Sequence, residues 1–388
     1  MDFFARDYFE ACRTPVFVEV DRIIRQWTSA DQQTYGLMRE FVTRRAKGLR
    51  PGICIAVCRA LGGSLEEVTP SAAVVELFHN AFLIHDDIED GSEERRGGPA
   101  LHQSHGTPIA LNVGDGLLAL SLRPLLENTQ LLGLSRTLQI LEIVVQMVTE
   151  SFEGQAIELR WIENGEWDLS DDDYEKMVRK KTCCYSFVAP AEIGAVVAKA
   201  DLELRRKLSD CMNSLGMAFQ IQDDLLNLAD DTQVYGKERN GDLWEGKRTL
   251  MLLHALREAT SVERRQALEI LRSPRPQSGR LDTAAERDQF ALALRQDGVI
   301  DEAAHEAIKR YIQASRVGHT VRSKTPEDVD FLLRLMKKTG AVEYGERAAA
   351  RFAKEAKNQW MTLAEKLVPS IHTKFIGGLT DFVVHRRH

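Results

Sequence analysis

An all-α fold is predicted for this chain by three observations. Apolar residues recur at spacings of three and four through 68–90, 133–159, 171–199, 202–230 and 328–357, the period of a helix with one buried face. Strict apolar–polar alternation, the mark of a half-buried strand, is hard to find. Clusters of turn-forming residues separate the periodic segments: KGLRPG at 47–52, GSEERRGGP at 91–99, ENGEWD at 163–168 and YGKERNGD at 235–242, rich in Gly, Pro, Asn and Asp. None is long enough to act as a flexible linker, so the expectation is one domain over 1–388, a single large helical bundle. The polar stretch SPRPQSGRLDTAAERDQ, 273–289, reads as an exposed loop. A weakly amphipathic helix at 301–314 and a basic segment, RVGHTVRSK, follow it, so 273–322 is read as an insertion within that domain.

The balance of charge narrows the partners. With 51 basic against 58 acidic residues the net charge is −7, which disfavours nucleic-acid binding because phosphate backbones call for a basic surface. An anionic ligand must then be met by local positive charge or by metal. The six cysteines lie among apolar residues without paired CxxC spacing, which suits reduced thiols in a cytoplasmic protein. Cys54 and Cys58 with His102 and His105 do not make a four-ligand zinc set. Acids in the first residues, MDFFARDYFEACR, do not suit a signal peptide. No unbroken apolar run approaches the roughly 18 residues of a membrane span, so no transmembrane segment is expected.

Two acidic clusters stand out. Asp86, Asp87, Glu89 and Asp90 end the apolar stretch VVELFHNAFLI, and Asp223, Asp224 and Asn227 end MAFQIQ. Positions i, i+1 and i+4 of a helix fall within an arc of about 100°, so each cluster aims its oxygens at one point. Such like charges repel unless a cation sits among them. Oxygen-only ligands suit Mg²⁺, which completes its shell with water and substrate phosphate oxygens. Arg95 and Arg96 follow at once, as forks matched to phosphate. Lys47, Arg50, Lys180, Lys181, Lys237 and Lys247 are further cations beside turns or helix ends. His85, next to the first acid pair, is a candidate to support a carboxylate. The acids are read as holding metal at the mouth of an apolar cavity.

In that order of motifs the chain resembles the trans-isoprenyl diphosphate synthases: KGLRP, VELFHNAFLIHDDIED, RRGGPA, HG at 105–106, GDGLLA, EGQAIEL, KKT, FQIQDDLLN, GKERNGDLWEGKRT and GAVEYGERAAARFAKEA. The resemblance implies the class I isoprenoid synthase fold, a helical bundle around a central cavity, and commonly a homodimer. It implies an Mg²⁺-dependent prenyltransferase that condenses isopentenyl diphosphate with an allylic diphosphate. Asp86, Asp87, Asp90, Asp223 and Asp224, with Asn227 where many relatives have a third aspartate, match the ligands of three Mg²⁺. Arg95, Lys181, Thr182, Gln220, Lys237 and Lys247 match the allylic site. Lys47, Arg50, His79 and Arg96 match the isopentenyl diphosphate pocket.

Phe82 lies one turn before Asp86 on the same face, where a ring can floor the cavity, and Ala81 beside it is small. The family pattern at these positions implies a C20 product, geranylgeranyl diphosphate, with a farnesyl or longer product as the alternative. A class I terpene cyclase and a regulatory subunit of a prenyl synthase are the competing classes. The DDLLN motif with Lys47, Arg50 and His79 argues against the first, and the survival of both acid pairs against the second.

Overall fold

The computed structural model describes residues 2–26, 31–44, 48–228, 240–275, 284–314 and 323–385. Apart from turns and loops, their regular structure is helical, with one short hairpin. Helices α1 (Asp2–Arg25), α2 (Gln32–Thr43), α3 (Leu49–Ala60) and α4 (Leu65–Asp90) lead to strands β1 (Glu94–Arg95) and β2 (Gly98–Pro99). Then come α5 (Leu101–His105), α6 (Thr107–Ser121), α7 (Arg123–Leu131), α8 (Leu134–Glu163) and α9 (Asp171–Val178). A π-helix, Arg179–Val188, runs into α10 (Ala189–Val197), followed by α11 (Leu202–Asn227) and α12 (Gly241–Glu245). The chain continues through α13 (Leu250–Glu258), α14 (Ser261–Arg272), α15 (Ala284–Gln296), α16 (Glu302–Ala314), α17 (Pro326–Lys338), α18 (Ala341–Ala364) and α19 (Ile371–His385).

Two compact units divide these elements: Met1–Arg239 with Arg248–Met251 and Val342–His388, and Asn240–Lys247 with Leu252–Ala341. In the first, α4 is the central element. Ser64 caps it by accepting from the Glu67 amide, and Gly91, at φ 64°, ends it in the left-handed conformation that favours glycine. Val68, Ala72, Ala73, Val74, Val75 and Leu77 are all fully buried, so this part of α4 is covered on every side, as a helix enclosed by others must be. It packs against α1, α3, α6, α7 and α10, while the π-helix lies against α8 and α11. In the second unit α14 and α12 pack on α17, and α15 packs on α16.

Four local features differ from the sequence reading. The segment 328–357 is two helices, α17 and α18, because Gly340 at φ 66° breaks the register between them. Residues 284–289, expected in a loop, open α15. The segment 171–199 contains the π-helix, which hydrophobic periodicity does not distinguish from an α-helix. Thr107–Leu131 is long and apolar enough on average, at a mean hydropathy of 1.3, to cross a membrane by length and composition. Polar residues interrupt it, so no unbroken apolar run marks it in the sequence. The six cysteines are free, and all but Cys184 are buried.

Gly154 of α8 makes the π-helix possible. A Cβ there would press on the Lys181 backbone nitrogen and lie 2.7 Å from its Cα, and backbone cannot step aside as a flexible side chain can. Gly154→Ala is therefore expected to destabilise the fold by about 2 kcal/mol, read as a lower urea midpoint at unchanged slope. An unchanged midpoint contradicts this packing.

Candidate active site

One face of α4 carries the site. His79, Phe82 and Asp86 are spaced by three and four residues, so their side chains stack along a single face over about 10 Å.

At the first of these positions, Arg50 from α3 donates to His79 Nε2 (2.9 Å), Tyr185 Oη (2.7 Å) and Ser186 Oγ (2.8 Å). Its guanidinium also sits 4.4 Å from the centre of the Tyr185 ring, a cation–π contact. Because arginine can only donate, His79 Nε2 must accept, and the imidazole is neutral with its proton on Nδ1. Burial, then Arg50, Arg96 and Arg95, holds the His79 pKa well below the ordinary value.

Phe82 is half-buried, its ring 6.0 Å from Phe78 and 5.8 Å, edge-on, from Tyr185. Ala81, one position away, points into the core and is fully buried.

At the far end of the face the hairpin returns two arginines toward α4. Glu94 pairs with Pro99 and Arg95 with Gly98, leaving Arg96 and Gly97 as a two-residue turn at φ 56° and 77°, both positive as the tight twist of such hairpins requires. The strand position turns Arg95 inward. Its Nε donates to Asp87 Oδ1 at 2.7 Å, Nη2 also pairs with Asp87, and Nη2 reaches Asp86 Oδ2 at 3.5 Å. Burial opposes its charge, but Asp87, Asp86 and Asp90 outweigh that, and its pKa is raised. The turn position sends Arg96 the other way, to Asn80 Oδ1 at 2.9 Å.

Lys181, from the π-helix, pairs with Glu158 and lies 3.4 Å from Asp86 Oδ1. Asp86 thus lies between two cations, and its side chain keeps 26% exposure where Asp87 keeps 1%. Asp90 is the last residue of α4. Residues four and five apart share a side of a π-helix, so Lys181, Tyr185 and Ser186 face the site, while Lys180 turns out to Glu150 and Glu153, both at 2.7 Å. Thr182 is half-buried in the same π-helix.

The second cluster ends α11. Asp224, 7% exposed, accepts from Tyr174 Oη (2.8 Å) and Gln220 Nε2 (2.7 Å). Asp223 is half-buried and Asn227 buried in the last turn. Lys247 belongs to the second unit, where it pairs with Glu245 (3.2 Å) and Asp242 (3.7 Å). Lys47 and Lys237 lie outside the described residues. His85 faces Asp115 of α6 at 3.4 Å.

Comparison with known proteins identifies the family. Residues 31–287 fit the polyprenyl synthetase family model. The chain belongs to the polyprenyl synthetase family. A short chain isoprenyl diphosphate synthase of Methanocaldococcus jannaschii is 33% identical over 66% of the chain and 76% of that protein. A geranylgeranyl diphosphate synthase of Methanosarcina mazei is 34% identical over 60% of the chain and 70% of its own length. The structure of a polyprenyl synthase from Caulobacter crescentus CB15, complexed with calcium and isoprenyl diphosphate, superposes at a TM-score of 0.75, with 26% identity and 98% of both chains covered. The chain is accordingly a prenyltransferase of the trans-polyprenyl diphosphate synthase type, and its all-α fold is the one its relatives share. Product length differs within the family, since other relatives are named for geranylfarnesyl and octaprenyl products.

Sequence reasoning missed Tyr185, Ser186, Glu158, Tyr174 and Asn80. Glu158 stands in the quoted EGQAIEL motif without an assigned role. Tyr185 and Ser186 follow KKT, but an α-helical register keeps only Tyr185, four positions on, near the side of Lys181 and turns Ser186, five positions on, away from it.

An NMR titration should find the His79 ring still neutral at pH values where a free imidazole is already protonated. Unfolded, it takes a proton near pH 6.5; folded, it does so only well below. Stability is therefore full above that pH and falls as pH drops through it, a fall that His79→Gln removes in part. A His79 that titrates at 6.5 or higher contradicts the arginine cage.

Proposed function

We propose that the chain condenses isopentenyl diphosphate with an allylic diphosphate, head to tail, to make geranylgeranyl diphosphate. One observation carries this reading: along a single face of α4, a basic pole at His79 and Arg50, an aromatic at Phe82 and a mixed acid–base pole at Asp86 follow in order. Two diphosphates joined through their reacting carbons need two anion poles separated by apolar surface. Arg50, Arg96 and His79, with Lys47, take isopentenyl diphosphate. Arg95 and Lys181, with Lys237, take the allylic diphosphate.

The acids fit magnesium by donor chemistry, being carboxylate oxygens gathered at the ends of two helices. Asp86, Asp90 and Asp223 are the proposed ligands, while Asp87, held by Arg95, and Asp224, held by Tyr174 and Gln220, fix the neighbouring groups. Three bound Mg²⁺ would supply charge stabilisation for the departing diphosphate.

The allylic C–O bond breaks, and its electron pair leaves on the diphosphate, which Arg95 and Lys181 hold. Thr182 and Gln220 turn their oxygens toward the allylic cation, and Phe82, Phe78 and Tyr185 keep water from it. The double bond of isopentenyl diphosphate attacks, a carbon–carbon bond forms, and the adjacent proton passes to the released diphosphate. Phe82 floors the cavity, and Ala81, small and packed into the core next to it, lets that floor sit back far enough for twenty carbons.

The reading extends to a homodimer. Leu111, Leu126, Leu134, Leu138 and Val145 on α6, α7 and α8, with Leu122 between the first two, are exposed large apolar side chains, of the kind that marks an interaction surface. It also accounts for the apolar character of Thr107–Leu131 in a protein proposed to be cytoplasmic.

Purified protein with Mg²⁺ should release diphosphate only when both isopentenyl diphosphate and an allylic primer are present. A cyclase needs no isopentenyl diphosphate, and a regulatory subunit releases nothing, so either result overturns the assignment. Asp86→Asn and Asp223→Asn should each lower kcat by about 10²-fold or more. Chromatography should find a C20 product from the parent and a longer one from Phe82→Ala; a C15 product from the parent contradicts the assigned length.

A further inference from the structure

Asn80 is fully buried in α4, next to His79, and the reaction as described does not use it. Its Nδ2 donates to the Glu76 backbone oxygen at 2.7 Å and to Glu76 Oε1 at 3.1 Å. A backbone carbonyl can only accept, so the amide nitrogen must face Glu76 and the amide oxygen must face away. That oxygen meets Arg96 Nη1 at 2.9 Å. The other contacts of the Arg96 guanidinium are looser: the Arg44 carbonyl at 3.4 Å and the Phe41 ring at 5.9 Å.

The arrangement answers a specific difficulty. Arg96 sits in a turn at φ 56°, which fixes its Cα but leaves a long side chain free to swing. Arg50 lies near enough to repel it, and burial further disfavours its charge. Glu76, 2% exposed on the same helix, lies within the electrostatic reach of Arg96, Arg50 and Arg13. A carboxylate, an oriented amide and a guanidinium therefore form one chain whose hydrogen-bond directions are set from the Glu76 end.

We propose that Asn80 and Glu76 are positioning residues for the isopentenyl diphosphate pocket: Glu76 orients the Asn80 amide, and the Asn80 oxygen holds the Arg96 guanidinium where the diphosphate arrives. This rests on the assignment of Arg96 to that substrate. The pair touches no reacting atom and acts on binding rather than on the chemical step. Residues at i and i+4 of one helix are neighbours by construction, so the orientation is set before the rest of the site closes around it.

Steady-state kinetics on three variants tests it. Asn80→Leu removes the amide and should raise KM for isopentenyl diphosphate about tenfold, the usual scale for a lost hydrogen bond to a charged group. KM for the allylic primer should move less than twofold. Asn80→Asp keeps shape and volume but sets a second carboxylate against Glu76, and should raise the same KM. Adding Glu76→Gln to it exchanges donor and acceptor along the pair, the introduced amide donating to the introduced carboxylate, so most of the loss should be recovered. The role is overturned if Asn80→Leu leaves that KM within twofold, if both KM values rise together with a falling Tm, or if the second substitution recovers nothing. A parent protein inactive with isopentenyl diphosphate would bring down the prenyl-transfer reading by itself. Calorimetric titration with inorganic pyrophosphate, without metal, still reads the grip of Arg96, and equal affinities for parent and Asn80→Leu would overturn the positioning role.

Discussion

Carboxylates crowded at the carboxyl end of a buried helix are the constraint on which the site depends. Asp86, Asp87 and Asp90 occupy the last turn of α4, and Asp223 and Asp224 the last turns of α11. The helix macrodipole is negative there, so each acid is opposed by its neighbours and also by the helix that carries it. Such a placement lowers stability unless cations compensate. The protein supplies part of that compensation through Arg95 on Asp87 and Lys181 beside Asp86. In the proposed reaction the remainder arrives with metal and substrate, so energy withheld from folding is available for binding.

The supporting elements are understandable as consequences. The hairpin after α4 is short because it must fold straight back: one arginine goes to the acid turn and its neighbour, at a positive φ, to Asn80. The π-helix brings Lys181, Tyr185 and Ser186 to one side, where a regular helix would have rotated one of them away. Gly154 leaves space for that backbone to approach α8. Tyr185 touches both the Arg50 pole and the Phe82 ring, so the anion site and the cavity wall share a side chain.

Much of this was legible in the sequence, and what was not has physical reasons. The helical class followed from apolar spacing, which reports burial directly. Asp86 and Arg95 stand out by residue type and position, whereas Lys181 is separated from Lys180 only by the resemblance of KKT to the family motif, and the structure brings the three together. Spacing gave Asp86 and Asp87 equal standing, whereas the fold exposes one and buries the other, a difference set by an arginine eight positions away in a hairpin. Tyr185 and Asn80 were hidden for another cause: a tyrosine and an asparagine within an amphipathic pattern read as packing until the register and the amide orientation are known. The stretch 328–357 was read as one segment because Gly340 interrupts a period that resumes after it.

The central claim is that the acids ending α4 and α11 serve a common cluster of divalent ions around one diphosphate. Anomalous diffraction from crystals grown with Mn²⁺ and a non-cleavable allylic thiodiphosphate tests it most directly. The account predicts manganese peaks shared between the Asp86–Asp90 turn and Asp223, with the diphosphate between them and Arg95 and Lys181 on its outer oxygens. Peaks confined to one cluster, or two clusters on separate surfaces with no diphosphate between them, would contradict it.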